Sequence, residues 1–281
     1  MDTINILVSS NDNFIVFLTV MLKSLFMHHK TKEKIRVFIM DSGISKKNKG
    51  LMAESLKEYN ADFIFINIAP NLIYDLKQFN VAYYRLIMDK IIPINIKKII
   101  YLDCDLLISK DISKLWKINI GKNIIGAVND FFIKKIKDGI INFKDFNLDP
   151  KKEYFNTGLM LINMNSWRKN KIGDKCIQIT LENKVFLKCW DQYSLNIVLY
   201  NKWKKINSLW NYNANFFTKK PYIIHYCSPK GKPLDIDYSG YFKSEFFSYL
   251  NKTEFKNLKP SINYNVLKRF FIKSAKKILG K

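Results

Sequence analysis

The sequence predicts an α/β fold with a mainly parallel central sheet. Strand-like and helix-like segments alternate through the first hundred residues, a pattern typical of parallel sheets that are covered by helices. Residues 99–102 form a short apolar segment rich in β-branched side chains, which predicts a central strand buried on both faces. Hydrophobic residues make up 48% of the 281-residue chain, which is enough to build a substantial core.

Hydrophobic periodicity predicts the individual elements. In the first half, apolar β-branched segments predict strands at residues 4–9, 35–40, 63–67 and 99–102. Helical spacing of apolar side chains predicts helices at 14–28, 45–59 and 81–91, the last ending before Pro93. The second half is less regular, with strands predicted at 124–129, 159–163 and 223–226 and helices at 175–183 and 192–199.

The chain is predicted to form one catalytic unit, residues 1–250, followed by a distinct tail, residues 251–281. The start of the chain lacks the basic and apolar pattern of a signal peptide, and no uninterrupted apolar stretch reaches transmembrane length. The four cysteines are scattered without metal-binding spacing, which argues against a zinc site and a disulfide framework. We therefore expect a protein of the reducing cytoplasm.

The net charge of +23 predicts an anionic partner, either a nucleic acid, an acidic membrane surface or a phosphorylated substrate. Part of this excess also fits a general background of lysine, isoleucine and asparagine. The sequence contains no recognisable nucleic-acid-binding motif, so no nucleic-acid partner is expected. A basic nucleic-acid-binding protein remains the alternative, and it would shift labelled DNA or RNA in a salt-dependent way.

Two carboxylates follow the predicted central strand. Asp103 and Asp105 lie where open α/β sheets bind their ligands. Because like charges held this close repel each other, a hard divalent cation such as Mg²⁺ or Mn²⁺ is a natural partner. A solvated turn at the end of a strand is the alternative interpretation.

Several segments together resemble those of family 8 glycosyltransferases, which are retaining and use nucleotide-sugar donors. They match the family's order from residue 4 to about residue 232, and the resemblance implies a GT-A fold. The matching segments are SSNDNF at 9–14, YYRL at 83–86, YLDCD at 101–105, ND at 129–130, YFNTGLMLIN at 154–163, WDQYSLN at 190–196 and HY at 225–226.

The resemblance implies a metal site made of Asp103, Asp105 and His225. Two oxygen ligands and one nitrogen suit Mn²⁺ somewhat better than Mg²⁺, although Mg²⁺ stays an alternative. For His225 the other interpretation is a packed core histidine.

The resemblance also implies a binding site for a UDP-sugar. Arg85 and Lys232 are candidates for holding the diphosphate, with Lys230 as the alternative to Lys232. Gln192 would lie beside the anomeric carbon and Asp191 would fix the sugar, unless Asp191 simply caps the following helix. The full set of predicted donor-binding residues is Ser9, Asn11, Asn13, Arg85, Asp103, Cys104, Asp105, Asp130, Asn156, Thr157, Asp191, Gln192, His225, Ser228 and Lys232.

The chain departs from the family pattern at three positions. Asn11 stands where the family usually has an acidic residue, so this side chain would accept a hydrogen bond without a charge. In the loop after His225, Ser228 occupies a glycine position and Leu234 replaces a tryptophan. These departures leave the assignment of Lys232 open.

The end of the chain, residues 262–281, has a different character. Apolar side chains such as Leu267, Phe270 and Phe271 recur at helical spacing among six basic residues, and no acid follows Glu254. A basic helix with an aromatic stripe is typical of a membrane-surface element. A helix packed on the domain and a disordered basic end are the alternatives.

The sequence thus predicts a hexosyltransferase that is peripheral on the inner face of the cytoplasmic membrane. It would transfer galactose or glucose from a UDP-sugar to a lipopolysaccharide or other surface-glycan acceptor. A non-catalytic carbohydrate- or nucleotide-binding protein on the same scaffold is the alternative, but such a protein would not need the metal-ligating set.

Overall fold

The architecture was obtained from a computed structural model, which describes residues 3–68, 81–227 and 231–261. The strands are β1 Thr3–Ser10, β2 Lys34–Asp41, β3 Ala61–Asn67, β4 Lys98–Leu102, β5 Leu106–Ile108, β6 Ile125–Asn129, β7 Phe155–Asn163, β8 Trp203–Lys205, β9 Tyr212–Asn213 and β10 Ile223–His225. The α-helices are α1 Ile15–His28, α2 Lys46–Leu56, α3 Met88–Ile91, α4 Ser113–Trp116, α5 Ile136–Gly139, α6 Met164–Lys169, α7 Ile172–Glu182, α8 Asp191–Val198 and α9 Lys243–Leu250.

The larger sheet has seven strands in the order β3-β2-β1-β4-β7-β6-β8. The pairs among β3, β2, β1 and β4 are parallel, as is β6 with β8, whereas β7 runs antiparallel to both its neighbours. This mixed α/β architecture with a mostly parallel sheet confirms the predicted fold class. A second sheet of three short strands, in the order β5-β10-β9, lies beside the end of β4.

The central strand is β4, as the sequence predicted. Each of its residues from 99 to 102 is at most 1% exposed. Side chains of a strand alternate between its two faces, and here Ile100 and Leu102 pack with α1 whereas Ile99 and Tyr101 join the core on the other side. The strand is therefore buried on both faces.

Some predicted elements differ in the structure. The helix predicted at 81–91 is a 3-10 helix, Val81–Ile87, which continues into the single turn of α3. Strand β7 begins at Phe155 rather than at 159, because the polar residues Asn156 and Thr157 are part of the sheet although they lack an apolar pattern. Helix α7 begins three residues earlier than predicted.

Three parts of the prediction concern residues outside the described ranges. The tail at 262–281 and the residues Ser228 and Lys230 belong to them. The described end of the chain packs on the domain, where Phe255 is buried in the core and Ser261 forms a bridge with Asp235. The division at residue 250 therefore stays a prediction. Among the described helices, none combines the length and the hydropathy that crossing a bilayer requires.

Candidate active site and metal centre

Strand pairing brings the three predicted metal ligands together. Asp103 and Asp105 lie in the turn between β4 and β5, and β10 pairs antiparallel with β5 so that His225 is opposite Leu106. The His225 Nε2 atom lies 3.4 Å from Asp105 Oδ1 and 3.8 Å from Asp103 Oδ2. One potential ligand atom from each residue falls within 4.8 Å of the others. The three side chains can therefore share one ion.

Gly158 leaves the space that this cluster occupies. A Cβ atom at this position of β7 would lie 2.3 Å from His225 Cε1 and 2.9 Å from Asp103 Oδ2. Both distances are shorter than van der Waals contact, so any side chain would push the two ligands away. The predicted motif included Gly158, but its role follows only from this close approach.

A chain of amides fixes which nitrogen of His225 carries the proton. The backbone N–H of Gly158 donates to Asn156 Oδ1 at 2.9 Å, and Asn211 Nδ2 donates to the same oxygen at 2.8 Å. The Oδ1 atom of Asn211 therefore faces His225 Nδ1, 2.8 Å away. An oxygen in that position requires Nδ1 to carry a proton, so Nε2 is the nitrogen that faces the two carboxylates, and loss of its own proton would free its lone pair for a cation.

Asn211 was missed by the sequence analysis. It is completely buried and lies at the end of a 3-10 helix, Ser208–Asn211. The surrounding segment, WNYN at 210–213, has no pattern that separates a partner of a metal ligand from ordinary turn asparagines. Only the paired strands β9 and β10 show that it reaches His225.

The donor set fits a hard divalent cation such as Mn²⁺ or Mg²⁺. It offers two carboxylate groups and the Nε2 atom of one imidazole in a pocket kept open by Gly158. Burial raises the pKa of Asp105, but the neighbouring Lys232 and His225 outweigh it and hold this pKa well below its usual range. The carboxylate is thus ionised and ready to serve as a ligand.

Arg85 is buried at the centre of the site. Its Nη2 donates to Asp103 Oδ1 at 2.8 Å and its Nη1 donates to the carbonyl of Thr157 at 2.6 Å. The guanidinium also lies over the ring of Tyr101, 4.1 Å from the centroid. In this arrangement Arg85 orients a candidate metal ligand, while its predicted contact with a diphosphate stays a prediction.

Asp191 presents a buried oxygen to the site. Its Oδ2 lies 3.1 Å from Arg85 Nε, but that N–H donates to the carbonyl of Ala82. No donor in the described part of the chain is aligned with Asp191 Oδ2. Burial raises the pKa of Asp191 to about 6, although Arg85 opposes this rise and Asp103 adds to it. Asp191 is the first residue of α8 and Trp190 occupies the N-cap position, so Asp191 is not the N-cap that the alternative interpretation required.

Asp130, Asn156 and Gln192 form one buried polar network. Asp130 Oδ2 accepts from Asn156 Nδ2 at 2.9 Å and from Gln192 Nε2 at 3.1 Å. Gln192 Oε1 in turn accepts from the backbone N–H of Thr157 at 3.1 Å. Since Asn156 also contacts Asn211, the network continues to His225. The predicted sugar-binding residues and the metal ligands are therefore connected through side chains.

The loop after β1 lies beside the two aspartates. Leu7 of β1 pairs with Tyr101 of β4, so the ends of these parallel strands meet at one edge. The Cys104 thiol donates to the carbonyl of Ser9 at 3.1 Å. Asn11 Oδ1 accepts from the backbone N–H of Asn13 and forms an Asx turn. The predicted nucleoside-binding residues thus border the candidate metal site.

Lys232 reaches the same centre from the other side. Its Nζ contacts Asp105 Oδ2 in a hydrogen bond, and it lies 5.7 Å from the centroid of Phe14. Burial lowers the pKa of Lys232, but Asp105 outweighs this and raises it. This lysine is therefore within reach of an anionic group bound at the aspartates.

Comparisons with known proteins identify the family of this chain. The family model described as glycosyl transferase family 8 matches residues 5–234. General stress protein A of Bacillus subtilis is 28% identical over 288 residues, covering 93% of this chain and 98% of that protein. A putative glycosyltransferase of Haemophilus influenzae is 30% identical over 243 residues, covering 81% of this chain and 72% of that protein.

Solved structures show the same fold. The galactosyltransferase LgtC, crystallised with donor and acceptor sugar analogs, superposes with a TM-score of 0.76 at 24% identity and covers 89% of this chain and 96% of its own. The bifunctional glycosyltransferase WbbM gives a TM-score of 0.78 at 18% identity, covering 95% of this chain and 52% of its own. At these identities the likeness establishes the GT-A architecture.

Proposed function

This chain belongs to glycosyl transferase family 8, and we propose that it transfers galactose or glucose from a UDP-sugar to a surface-glycan acceptor. The proposed transfer retains the α configuration and depends on a divalent cation. The observation that carries this proposal is the cluster of Asp103, Asp105 and His225, whose ligand atoms lie within 4.8 Å of one another. A protein that only binds a glycan has no need of such a cluster.

Asp103, Asp105 and His225 would hold the cation. When bound, a divalent cation supplies Lewis acidity that offsets the charge on a departing diphosphate. Asn211 keeps a proton on Nδ1 of His225, so that Nε2 is the nitrogen left to bind a cation, and Arg85 keeps Asp103 in its rotamer. Lys232 would move its ammonium from Asp105 to the diphosphate, since both partners are anionic.

The sugar would lie between Asp191 and Gln192. Asp191 Oδ2 has an ion pair with Arg85 but no aligned hydrogen-bond donor, so it suits a sugar hydroxyl that would supply one. Thr157 and Asp130 hold both ends of the Gln192 carboxamide, so its dipole is preorganised beside the proposed anomeric carbon. Same-face displacement and double displacement both agree with this arrangement.

The acceptor is proposed to be a lipopolysaccharide, a lipooligosaccharide or another glycolipid at the inner face of the cytoplasmic membrane. Support comes from the sequence of residues 262–281, whose basic and aromatic side chains suit an anionic bilayer. The chain has 47 lysines and arginines against 24 acids, and this positive charge also favours binding to an anionic bilayer.

The proposal is tested by donor hydrolysis with UDP-galactose and UDP-glucose in the presence of Mn²⁺. Release of UDP should stop with a chelator and return with Mn²⁺ or, less fully, Mg²⁺. Asp105→Asn should abolish it, whereas Asp174→Asn, which changes an exposed ion pair with Lys90, should not. Full activity of Asp105→Asn in metal-free buffer would refute the proposal, and an inverted anomeric proton signal in the product would refute retention.

A further inference from the structure

An exposed surface of aromatic and basic side chains lies along the small sheet of β5, β10 and β9. Three segments form it: residues 109–110 after β5, residues 216–222 between β9 and β10, and residues 241–245 at the start of α9. A groove of about 450 Å³ lies between them. We refer to it as the aromatic-basic surface.

Large aromatic side chains on this surface face solvent. Phe217 is 63% exposed, Tyr241 is 50% exposed and Phe216 is 46% exposed. Phe217 lies 5.7 Å from Tyr241 and 6.3 Å from the ring of Phe242, so these rings form one cluster. Contiguous exposed aromatics of this kind mark a binding surface, since isolated apolar residues would need no explanation.

Lysines line the groove that this aromatic cluster borders through Phe242. The groove is lined by Lys110, Lys219 and Lys220, and Glu245 is the one acid among its described lining residues. Lys110 Nζ lies 3.2 Å from the centroid of the Tyr222 ring, which fixes its position over an aromatic face. Aromatic rings insert at the boundary between lipid headgroups and acyl chains, and lysine ammonium groups pair with anionic headgroups. The side chains of this surface therefore match the chemistry of an anionic bilayer.

The surface is held in place by backbone contacts. Tyr241 N donates to the carbonyl of Ala214 at 2.8 Å, and Ser109 N donates to the carbonyl of Tyr222 at 2.9 Å. The hydroxyl of Tyr212 donates to the carbonyl of Phe217 at 3.1 Å. These bonds tie each of the three segments to the small sheet or to the residue that follows β9, so the surface would not have to be ordered on binding.

We propose that the aromatic-basic surface docks the folded domain on a bilayer containing anionic lipids. The tail at 262–281 is a poor occupant, because every charged side chain after Glu254 is basic and would repel these lysines. A bilayer supplies both the negative charge and the apolar layer. The aromatic part of the surface adjoins the strand that carries His225, because Ala214 N donates to the carbonyl of His225 and Tyr241 N donates to the carbonyl of Ala214. Docking would therefore hold the catalytic centre close to the lipid headgroups.

This inference rests on the proposed membrane-side setting of the reaction and makes a separate prediction about where the protein touches the bilayer. Hydrogen–deuterium exchange of the full chain should show protection of amides at 216–222 on vesicles of phosphatidylcholine with one quarter phosphatidylglycerol. Vesicles of phosphatidylcholine alone should give none. Equal exchange at 216–222 with and without anionic vesicles would overturn the proposal. That result is also expected if the chain's own tail, rather than the bilayer, covers the surface.

Variants separate this surface from the tail. Lys219→Gln with Lys220→Gln should weaken vesicle binding of the full chain about 30-fold, which corresponds to about 2 kcal/mol at about 1 kcal/mol for each lysine near an anionic surface. The matched control is Lys46→Gln with Lys47→Gln, two exposed lysines of α2, and should change binding less than threefold.

For the aromatic contribution, Phe217→Ser should weaken binding, whereas Ile94→Ser, at a residue 79% exposed elsewhere, should not. The variant with Lys273, Lys276 and Lys277 changed to Gln should bind less tightly but keep the protection at 216–222. The proposed surface is refuted if this tail variant still binds vesicles but loses the protection at 216–222. It is also refuted if the change at Lys219 and Lys220 weakens binding no more than the change at Lys46 and Lys47. Donor hydrolysis in solution should be the same in all these variants, so failure of the docking is distinguishable from failure of the catalytic proposal.

Discussion

Replacing Gly158 with alanine tests the candidate metal centre most sharply, because this change adds one carbon and no charge. The new Cβ would lie 2.3 Å from His225 Cε1. Carbon atoms pack at about 3.5 Å or more, so the imidazole must move by about 1.2 Å. The same Cβ would lie 2.9 Å from Asp103 Oδ2, which displaces a second ligand.

A ligand displacement of this size should weaken Mn²⁺ binding by about 100-fold, or about 2.7 kcal/mol. Overpacking should also lower the free energy of unfolding by about 1–3 kcal/mol. Titration calorimetry with Mn²⁺ in the presence of UDP measures the first quantity, and urea denaturation monitored by tryptophan fluorescence measures the second.

Gly126→Ala is the matched control. Its Cβ would lie 2.9 Å from Ile120 Cγ2 and 3.3 Å from Ile206 Cγ2, so it overpacks an apolar part of the neighbouring strand β6. We expect a similar cost in unfolding free energy with Mn²⁺ affinity unchanged. If Gly158→Ala binds Mn²⁺ within threefold of the wild type, the inference that Gly158 makes room for the ligands is wrong.

Three further changes follow from the same geometry. Asn211→Leu should weaken Mn²⁺ binding 10- to 100-fold, since Nδ1 of His225 loses its acceptor; an unaltered affinity would show that the tautomer is set otherwise. Asp191 has a pKa of about 6 when folded against 3.8 as the reference value, so its ionisation costs stability as the pH rises from about 4 to about 6. The free energy of unfolding from urea denaturation should therefore fall by up to about 3 kcal/mol less over this pH range in Asp191→Asn than in the wild type. The same pH dependence of the unfolding free energy in both proteins would contradict this. Gln192→Ala should lower the maximal rate of donor hydrolysis far more than donor affinity, as expected for a group that acts mainly in the transition state, and a pure affinity loss would reassign it to substrate binding.

Most of the first half of the fold was accessible from the sequence because its longer strands are apolar and rich in β-branched residues, although the helix predicted at 81–91 is a 3-10 helix followed by one α-helical turn. Strand β1, helix α1 and strand β2 lie within one residue of the predicted bounds at each end. The short strands β5, β8 and β9 were not predicted, since segments of two or three residues carry no period. They are defined by pairing between distant segments, β8 with β6 and both β5 and β9 with β10.

The metal ligands were accessible for another reason. Asp103 and Asp105 follow the most apolar strand, and the resemblance supplied His225 although it lies 120 residues further along the chain. The residues that hold these ligands were not accessible in the same way. Gly158, Asn211 and the buried position of Arg85 act through contacts between distant segments, and their residue types occur widely in turns and on surfaces.

The central claim is that Asp103, Asp105 and His225 bind one divalent cation together with the donor diphosphate. Pulsed electron paramagnetic resonance of Mn²⁺ bound to the enzyme in the presence of UDP measures this directly. The account predicts coupling to the phosphorus nuclei of UDP and to one imidazole nitrogen, with the nitrogen coupling absent in His225→Ala. Bound Mn²⁺ without nitrogen coupling, or a nitrogen coupling that persists in His225→Ala, would contradict it.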